Sequence, residues 1–98
     1  MPLTASQKRY LRSFAHELRP IILVGQKGVT EAVLAEFEAA LAHHELVKVK
    51  LAGAERDERA AAIEAMRAHA SAELVQAIGK TASFYRRNPE RAQYTLPR

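Results

Sequence analysis

The chain has 98 residues, 48% of them hydrophobic, with 15 Lys and Arg against 11 Asp and Glu for a formal charge of +4. One domain fits that length, with a core able to fold without a metal or disulfide staple. The lack of cysteine excludes disulfides, zinc-thiolate sites and thiol nucleophiles and suits a reducing cytoplasm.

Met1-Pro2-Leu3-Thr4 runs into Gln7, Lys8 and Arg9 without an apolar leader, and no stretch approaches the roughly 18 apolar residues of a membrane span, so a soluble, cytoplasmic, unprocessed chain is expected. Residues 4 to 18 read as a helix capped by Thr4 or Ser6, with Leu11, Phe14, Ala15 and Leu18 forming one apolar stripe and Pro20 as the stop. Arg9, Arg12, His16 and Arg19 fall on the opposite side. Ile21-Ile22-Leu23-Val24 is a continuous apolar run before Gly25, the pattern of a short strand buried on both faces. After the Gly25-Gln26-Lys27-Gly28 loop, Thr30 is placed to cap a helix through His43, with Val33, Leu34, Phe37, Ala40 and Leu41 inward and Glu31, Glu36 and Glu38 mostly outward.

Leu46 to Leu51 alternates, sending Val47, Val49 and Leu51 one way and Lys48 and Lys50 the other. Gly53 ends this strand, and an alanine-rich helix is expected from about Asp57 to His69, with Ile63 and Met66 as its larger inward groups. Leu74 to Ile78 and Thr81 to Tyr85 read as two strands joined by a tight turn at Gly79-Lys80. Asn88-Pro89 ends regular structure, and the polar tail after it is expected to be loosely held. The resulting order, α-β-α-β-α-β-β, implies a single α/β domain of the α+β type, spanning residues 1–98 with a core of about 3–89. A mixed four-stranded sheet with helical cover should result.

Charge is unevenly distributed. Residues 1 to 30 carry Lys8, Arg9, Arg12, Arg19 and Lys27 against Glu17, and residues 77 to 98 carry Lys80, Arg86, Arg87, Arg91 and Arg98 against Glu90. The middle holds nine acids against five bases. If the fold joins the two ends, it makes one basic face and one acidic face, and the basic one suits an anionic partner.

A Gly-x-x-Gly between a strand and a helix lets the backbone turn sharply and approach a sugar-phosphate chain closely. The helix N-terminus beyond it favours anions, and Lys27 adds a charge. KH domains clamp nucleic-acid backbone with a loop of this kind. The loop is too short for a Walker A motif and lacks the third glycine of the dinucleotide fingerprint, so no nucleotide cofactor is expected. His43-His44-Glu45 diverge on a helix, and His16 and His69 have no ligand spacing with them, so no metal is expected either. No serine occupies a nucleophile elbow, and the carboxylates read as solvated helix surface, which points away from an enzyme and a small-molecule substrate. Phe84 and Tyr85 occupy alternate strand faces, so one belongs to the core and the other is placed to stack on a base beside Arg86.

These residues together resemble the CRM domain, in its small stand-alone bacterial YhbY form. Leu18-Arg19-Pro20, Val24-Gly25-Gln26-Lys27-Gly28-Val29-Thr30, Ala40-Leu41 and His44-Glu45-Leu46-Val47-Lys48-Val49 carry the likeness, followed by Glu73-Leu74-Val75-Gln76, Ile78-Gly79-Lys80-Thr81 and Tyr85-Arg86. The resemblance implies a fold similar to the C-terminal domain of bacterial translation initiation factor three, with an added first helix. It also implies RNA binding by the glycine loop and adjoining basic surface, in assembly of the large ribosomal subunit. The RNA-contacting set expected is Gly25, Gln26, Lys27, Gly28, Thr30, Lys8, Arg9, Arg12, Arg19, Lys48, Lys50, Lys80, Tyr85, Arg86 and Arg87. One departure stands out: the family usually has lysine directly after the first glycine, where this chain has Gln26 followed by Lys27. The expected partner is ribosomal RNA in the large-subunit precursor, bound by a monomer, with ribosomal proteins as further partners. The alternative is a ribosome-associated module that contacts protein through its acidic middle without recognising RNA.

Overall fold

Residues 2–53, 55–90 and 92–97 are described in the computed structural model. Among them the chain forms α1 (Ala5–Ala15), β1 (Ile22–Val24), α2 (Glu31–His44), β2 (Leu46–Leu51), α3 (Arg56–Ala70), β3 (Glu73–Ile78) and β4 (Thr81–Tyr85). The strands make one mixed sheet in the order β1-β2-β4-β3. β1 pairs parallel with β2, while β4 pairs antiparallel with both β2 and β3. The element order and sheet type are those expected.

Helix starts follow their caps. The Thr4 hydroxyl accepts the Gln7 N–H at 3.1 Å and the Gln7 side chain accepts the Thr4 N–H at 3.0 Å, satisfying two donors at the start of α1. Thr30 caps α2 with one bond, its hydroxyl accepting the Val33 N–H at 3.2 Å. α1 stops at Ala15, three residues short of the expected end. There the chain tightens, with Glu17 donating to Phe14 and Leu18 to Ala15, because Pro20 bars helical geometry at Arg19. α3 closes on Ser71 in the left-handed conformation, φ 51°.

Both faces of the sheet are covered, unequally. On one, α2 and α3 bury Val47, Val49 and Leu51 of β2 with Ile22, Val24, Phe37, Leu41, Met66 and Phe84. On the other, α1 lies over β2 and β3 and buries Leu11 and Ala15 with Leu46, Val75 and Tyr85. Three expectations change as a result. β1 is not buried on both faces: it is the sheet edge beyond the reach of α1, so Ile22 and Val24 are buried while Leu23 is 60% and Ile21 49% exposed. Phe84 and Tyr85 do point to opposite faces, yet both are buried, because at this end of β4 each face has a helix on it. The tail is not loose either: Tyr94 and Leu96 pack against the α1 cluster, and Gln7 donates to the Pro97 carbonyl at 3.0 Å.

That docking rests on Glu45. It caps the end of α2 with φ 64°, a rare conformation for a side chain-bearing residue, and is fully buried. Its Oε2 accepts the Asn88 N–H at 2.6 Å, and its Oε1 accepts those of Gln93 at 2.6 Å and Tyr94 at 3.2 Å. One buried carboxylate thus satisfies three backbone donors of the returning tail. Burial pushes the Tyr85 and Tyr94 phenols up from their ordinary pKa, and the Glu45 charge adds to this; Arg87 opposes it at Tyr85.

Candidate nucleic-acid interface

The glycine loop leaves the sheet at the end of β1. Val24 O accepts the Ala52 N–H at 2.9 Å, and Gly28 N–H returns to Gly25 O at 3.0 Å to close a four-residue turn. Gly28 lies at φ 74°, where a side chain would strain the backbone. Gly25 differs: its φ is not left-handed, and a Cβ there would meet no atom within 4 Å. The fold itself has no steric use for glycine at that position. Gln26 packs across Gly53, its Cγ 3.1 Å from where a Cβ on Gly53 would stand, and Lys27 is exposed at the tip.

Thr30 follows as the N-cap of α2, so the loop hands directly into a helix N-terminus. Glu31 already occupies that first turn, and a helix terminus contributes only about 0.3–1 kcal/mol towards an anion at an exposed site. Attraction for a phosphate must therefore come chiefly from the side-chain cations. The sheet supplies two beside the loop. Lys50 pairs with Leu23 on one side and Thr81 on the other, and Lys80 sits in the β3–β4 turn, its carbonyl accepting the Leu51 N–H at 2.7 Å. Gly25, Gln26, Lys27, Gly28, Thr30, Lys50 and Lys80 are thus gathered at one end of the sheet.

The remaining expected residues come from other parts of the fold. Lys8, Arg9 and Arg12 are exposed on α1 and Arg19 in the link to β1, on the sheet side away from α2 and α3, which Lys50 also faces. Lys48 is turned inward to the α1 terminus, its Nζ donating to Ala15 O at 3.3 Å. Arg86 is occupied within the fold: it donates to Glu38 Oε2 at 2.8 Å and to the Ala70 carbonyl at 3.0 Å, stapling the ends of α3 and β4 to α2. With Tyr85 buried, the expected stack of an aromatic beside Arg86 has no exposed ring to form it. Arg86 and Arg87 follow the residue paired with Leu46, and β2 runs from there to Leu51, so they lie about 17 Å from the loop end at roughly 3.3 Å per residue. Of the basic residues described in the C-terminal stretch, Lys80 therefore reaches the loop end while Arg86 and Arg87 do not. Arg91 and Arg98, also in that stretch, lie outside the described residues.

The opposite polarity sits on the helical layer, where Glu31 and Glu36 on α2 and Asp57, Glu58 and Glu64 on α3 are exposed. Glu64 is paired with Arg67 at 2.6 Å. Among the described residues no three His, Asp or Glu side chains gather to hold a metal, and no helix is long and apolar enough to cross a membrane. His43 and His44 meet edge to face with ring centroids 4.6 Å apart.

Two features escaped sequence reasoning. Glu45 carries no local mark of burial, because its partners lie 43 to 49 residues away. Leu23, Lys50, Thr81 and Ile78 form one row across all four strands on the α1 side, with Leu23 and Ile78 60% and 55% exposed; only the strand order reveals that α1 stops short of them.

Comparison with known proteins agrees with this architecture. The solution structure of the Staphylococcus aureus protein SAV1595 superposes with a TM-score of 0.85 at 36% identity, covering 97% of this chain and 99% of that one. A Haemophilus influenzae protein named RNA-binding protein is 46% identical over 96 residues, which is 98% of this chain and 96% of the relative. The Pseudomonas aeruginosa protein named Probable RNA-binding protein PA4753 is 51% identical over 90 residues, 92% of this chain and 86% of the relative. The family model described as the CRS1 / YhbY (CRM) domain matches residues 3–86, from the approach to α1 to the arginine that follows β4, and the chain belongs to that family.

Proposed function

We propose that this protein binds ribosomal RNA in precursors of the large ribosomal subunit and acts in the cytoplasm as an assembly factor, gripping the sugar-phosphate backbone with its Gly25–Gly28 loop. The observation that carries the reading is the loop end of the sheet. An exposed Lys27, flanked by Lys50 and Lys80, stands beside a glycine at position 25 that folding does not require. Small residues there leave the loop amides open to a phosphate chain, and the three cations supply the attraction. Relatives named as RNA-binding proteins support the polymer class. The family resemblance supports the ribosomal target.

Lys8, Arg9, Arg12 and Arg19 form a second patch on the α1 side, suited to another stretch of the same structured RNA. With no exposed aromatic at Tyr85, contacts to backbone dominate over reading of bases on the sheet. The proposed role is one of binding, and the fully buried Glu45 carboxylate serves the fold, committed to three backbone N–H groups.

Crosslinking in cells followed by sequencing of the bound RNA tests the proposal. Enrichment of large-subunit ribosomal RNA is expected, with the precursor form over the mature one. A flat profile would remove the assembly role. Purified protein that ignores ribosomal RNA at low salt yet binds a ribosomal protein with 1:1 stoichiometry would replace it with the acidic-surface alternative.

A further inference from the structure

Behind the glycine loop lies a cleft of about 340 Å³, near the lower end of the range for small-ligand pockets. Gly25, Gln26 and Gly53 form one wall, and Glu58, Ala61 and Ala65 of α3 form the other. The helical residues recur at the spacing that puts them on one face, so α3 presents a shelf of methyl groups with a carboxylate at its start. The loop divides its neighbours sharply: Gln26 lines the cleft and Lys27 does not, and among the described lining residues there is no Lys or Arg.

That division decides what the cleft accepts. A phosphate is drawn to Lys27 and repelled by Glu58, so the cleft suits the uncharged part of a nucleotide. Its polar groups then define the edge they recognise. Glu58 Oε1 accepts the Glu55 N–H at 3.4 Å, and a carboxylate has capacity for further donors. The Gln26 amide offers a donor and an acceptor together, the pair that matches adenine, while a carboxylate suits the exocyclic amine of cytosine. Guanine also has one, beside an N1–H that suits a carboxylate, and uracil has none.

The geometry points to a nucleobase slot: with the backbone held at Lys27, one unpaired amine-bearing base (adenine, cytosine or guanine) inserts between the Gly25–Gly28 loop and the alanine face of α3. This deepens the RNA-binding reading and rests on it. A base in a duplex is stacked on both faces and cannot enter a cleft, so the slot selects single-stranded or bulged RNA at this loop.

Anisotropy titrations of the full chain with labelled oligo(A), oligo(C), oligo(U) and a blunt RNA duplex, at one low salt concentration, test the slot. Oligo(A) and oligo(C) should bind about tenfold tighter than oligo(U), within the range for one well-held base. Ala65→Leu fills the cleft from an exposed position with a good helix former, so the fold is retained. It should erase the preference while leaving duplex affinity within about twofold. Gln26→Ala should weaken oligo(A) more than oligo(U). Lys27→Ala should weaken all four probes alike, reporting the backbone grip separately. Equal binding of oligo(A) and oligo(U) by the wild type, or equal losses for duplex and single strands in Ala65→Leu, would sink the slot and leave RNA binding standing. Failure of every RNA to bind would overturn both.

Discussion

Replacing Glu45 with alanine removes the acceptor of three tail amides and tests whether this carboxylate holds the C-terminal segment. Hydrogen bonds to a charged partner contribute roughly 1.5–3 kcal/mol each, so three set a ceiling of about 5–9 kcal/mol. Two effects lower the observed loss. Keeping a carboxylate out of water costs several kcal/mol even when it is well bonded, and the variant no longer meets that cost. The tail can also detach and hydrate its freed N–H groups. Detachment limits the loss to the docking energy, which includes the partial burial of Tyr94 and Leu96, on the order of 2–3 kcal/mol together. A net loss of about 3 kcal/mol follows, a large share of the 5–15 kcal/mol typical of a domain. Urea unfolding gives the total, and hydrogen exchange locates it: the Gln93 and Tyr94 amides should lose protection far more than those of β2. Glu45→Gln keeps the shape but sets an amide NH2 towards a donor, so its loss should fall between wild type and alanine. A change under about 0.5 kcal/mol with the Gln93 amide still protected would refute the clamp.

Charge at the loop is read by salt. Lys27→Ala should lower the magnitude of the logarithmic salt slope of RNA binding by about one at most, and an unchanged slope and affinity would take Lys27 out of the interface. The two loop glycines should separate stability from binding. Gly28→Ala, at φ 74°, should cost about 1–2 kcal/mol in thermal or urea unfolding. Gly25→Ala should stay within about 0.5 kcal/mol and still weaken RNA; full RNA affinity in that variant would argue against close backbone approach. Arg86→Ala should destabilise by about 1–2 kcal/mol, through the lost Ala70 contact and the half-exposed Glu38 pair, and leave affinity for the loop end unchanged. Alkaline pH should also weaken the fold. The Tyr85 and Tyr94 phenols have folded pKa values raised above the unfolded value of about 10, so the unfolded chain releases protons first; stability is complete below that pH and declines above it. Tyr94→Phe should flatten the decline between pH 9 and 11, and an identical slope would remove Tyr94 as a source.

Much of the site was legible because its parts are local. A strand, two glycines three residues apart, a capping threonine and an amphipathic helix all follow one another within residues 22 to 44, and each signal acts over a turn or two of chain. Lys27 stands where that reading put it. Arg86 and Tyr85 were misread for the opposite reason. Alternation along β4 correctly sends Phe84 and Tyr85 to opposite faces, but exposure depends on what covers each face, and α1 comes from the other end of the chain.

Seven elements, the inward rows of α2 and β2, and the turn that displays Lys27 are written in the local order of residues, because backbone hydrogen bonding and side-chain periodicity operate between near neighbours. Which strand lies at the edge, which lysines gather beside the loop, and the hold of a glutamate at the end of α2 on a tail more than forty residues away emerge from the folded arrangement. Burial and charge pairing depend on which surfaces meet, and strand order and α1 docking bring together groups that the chain keeps far apart.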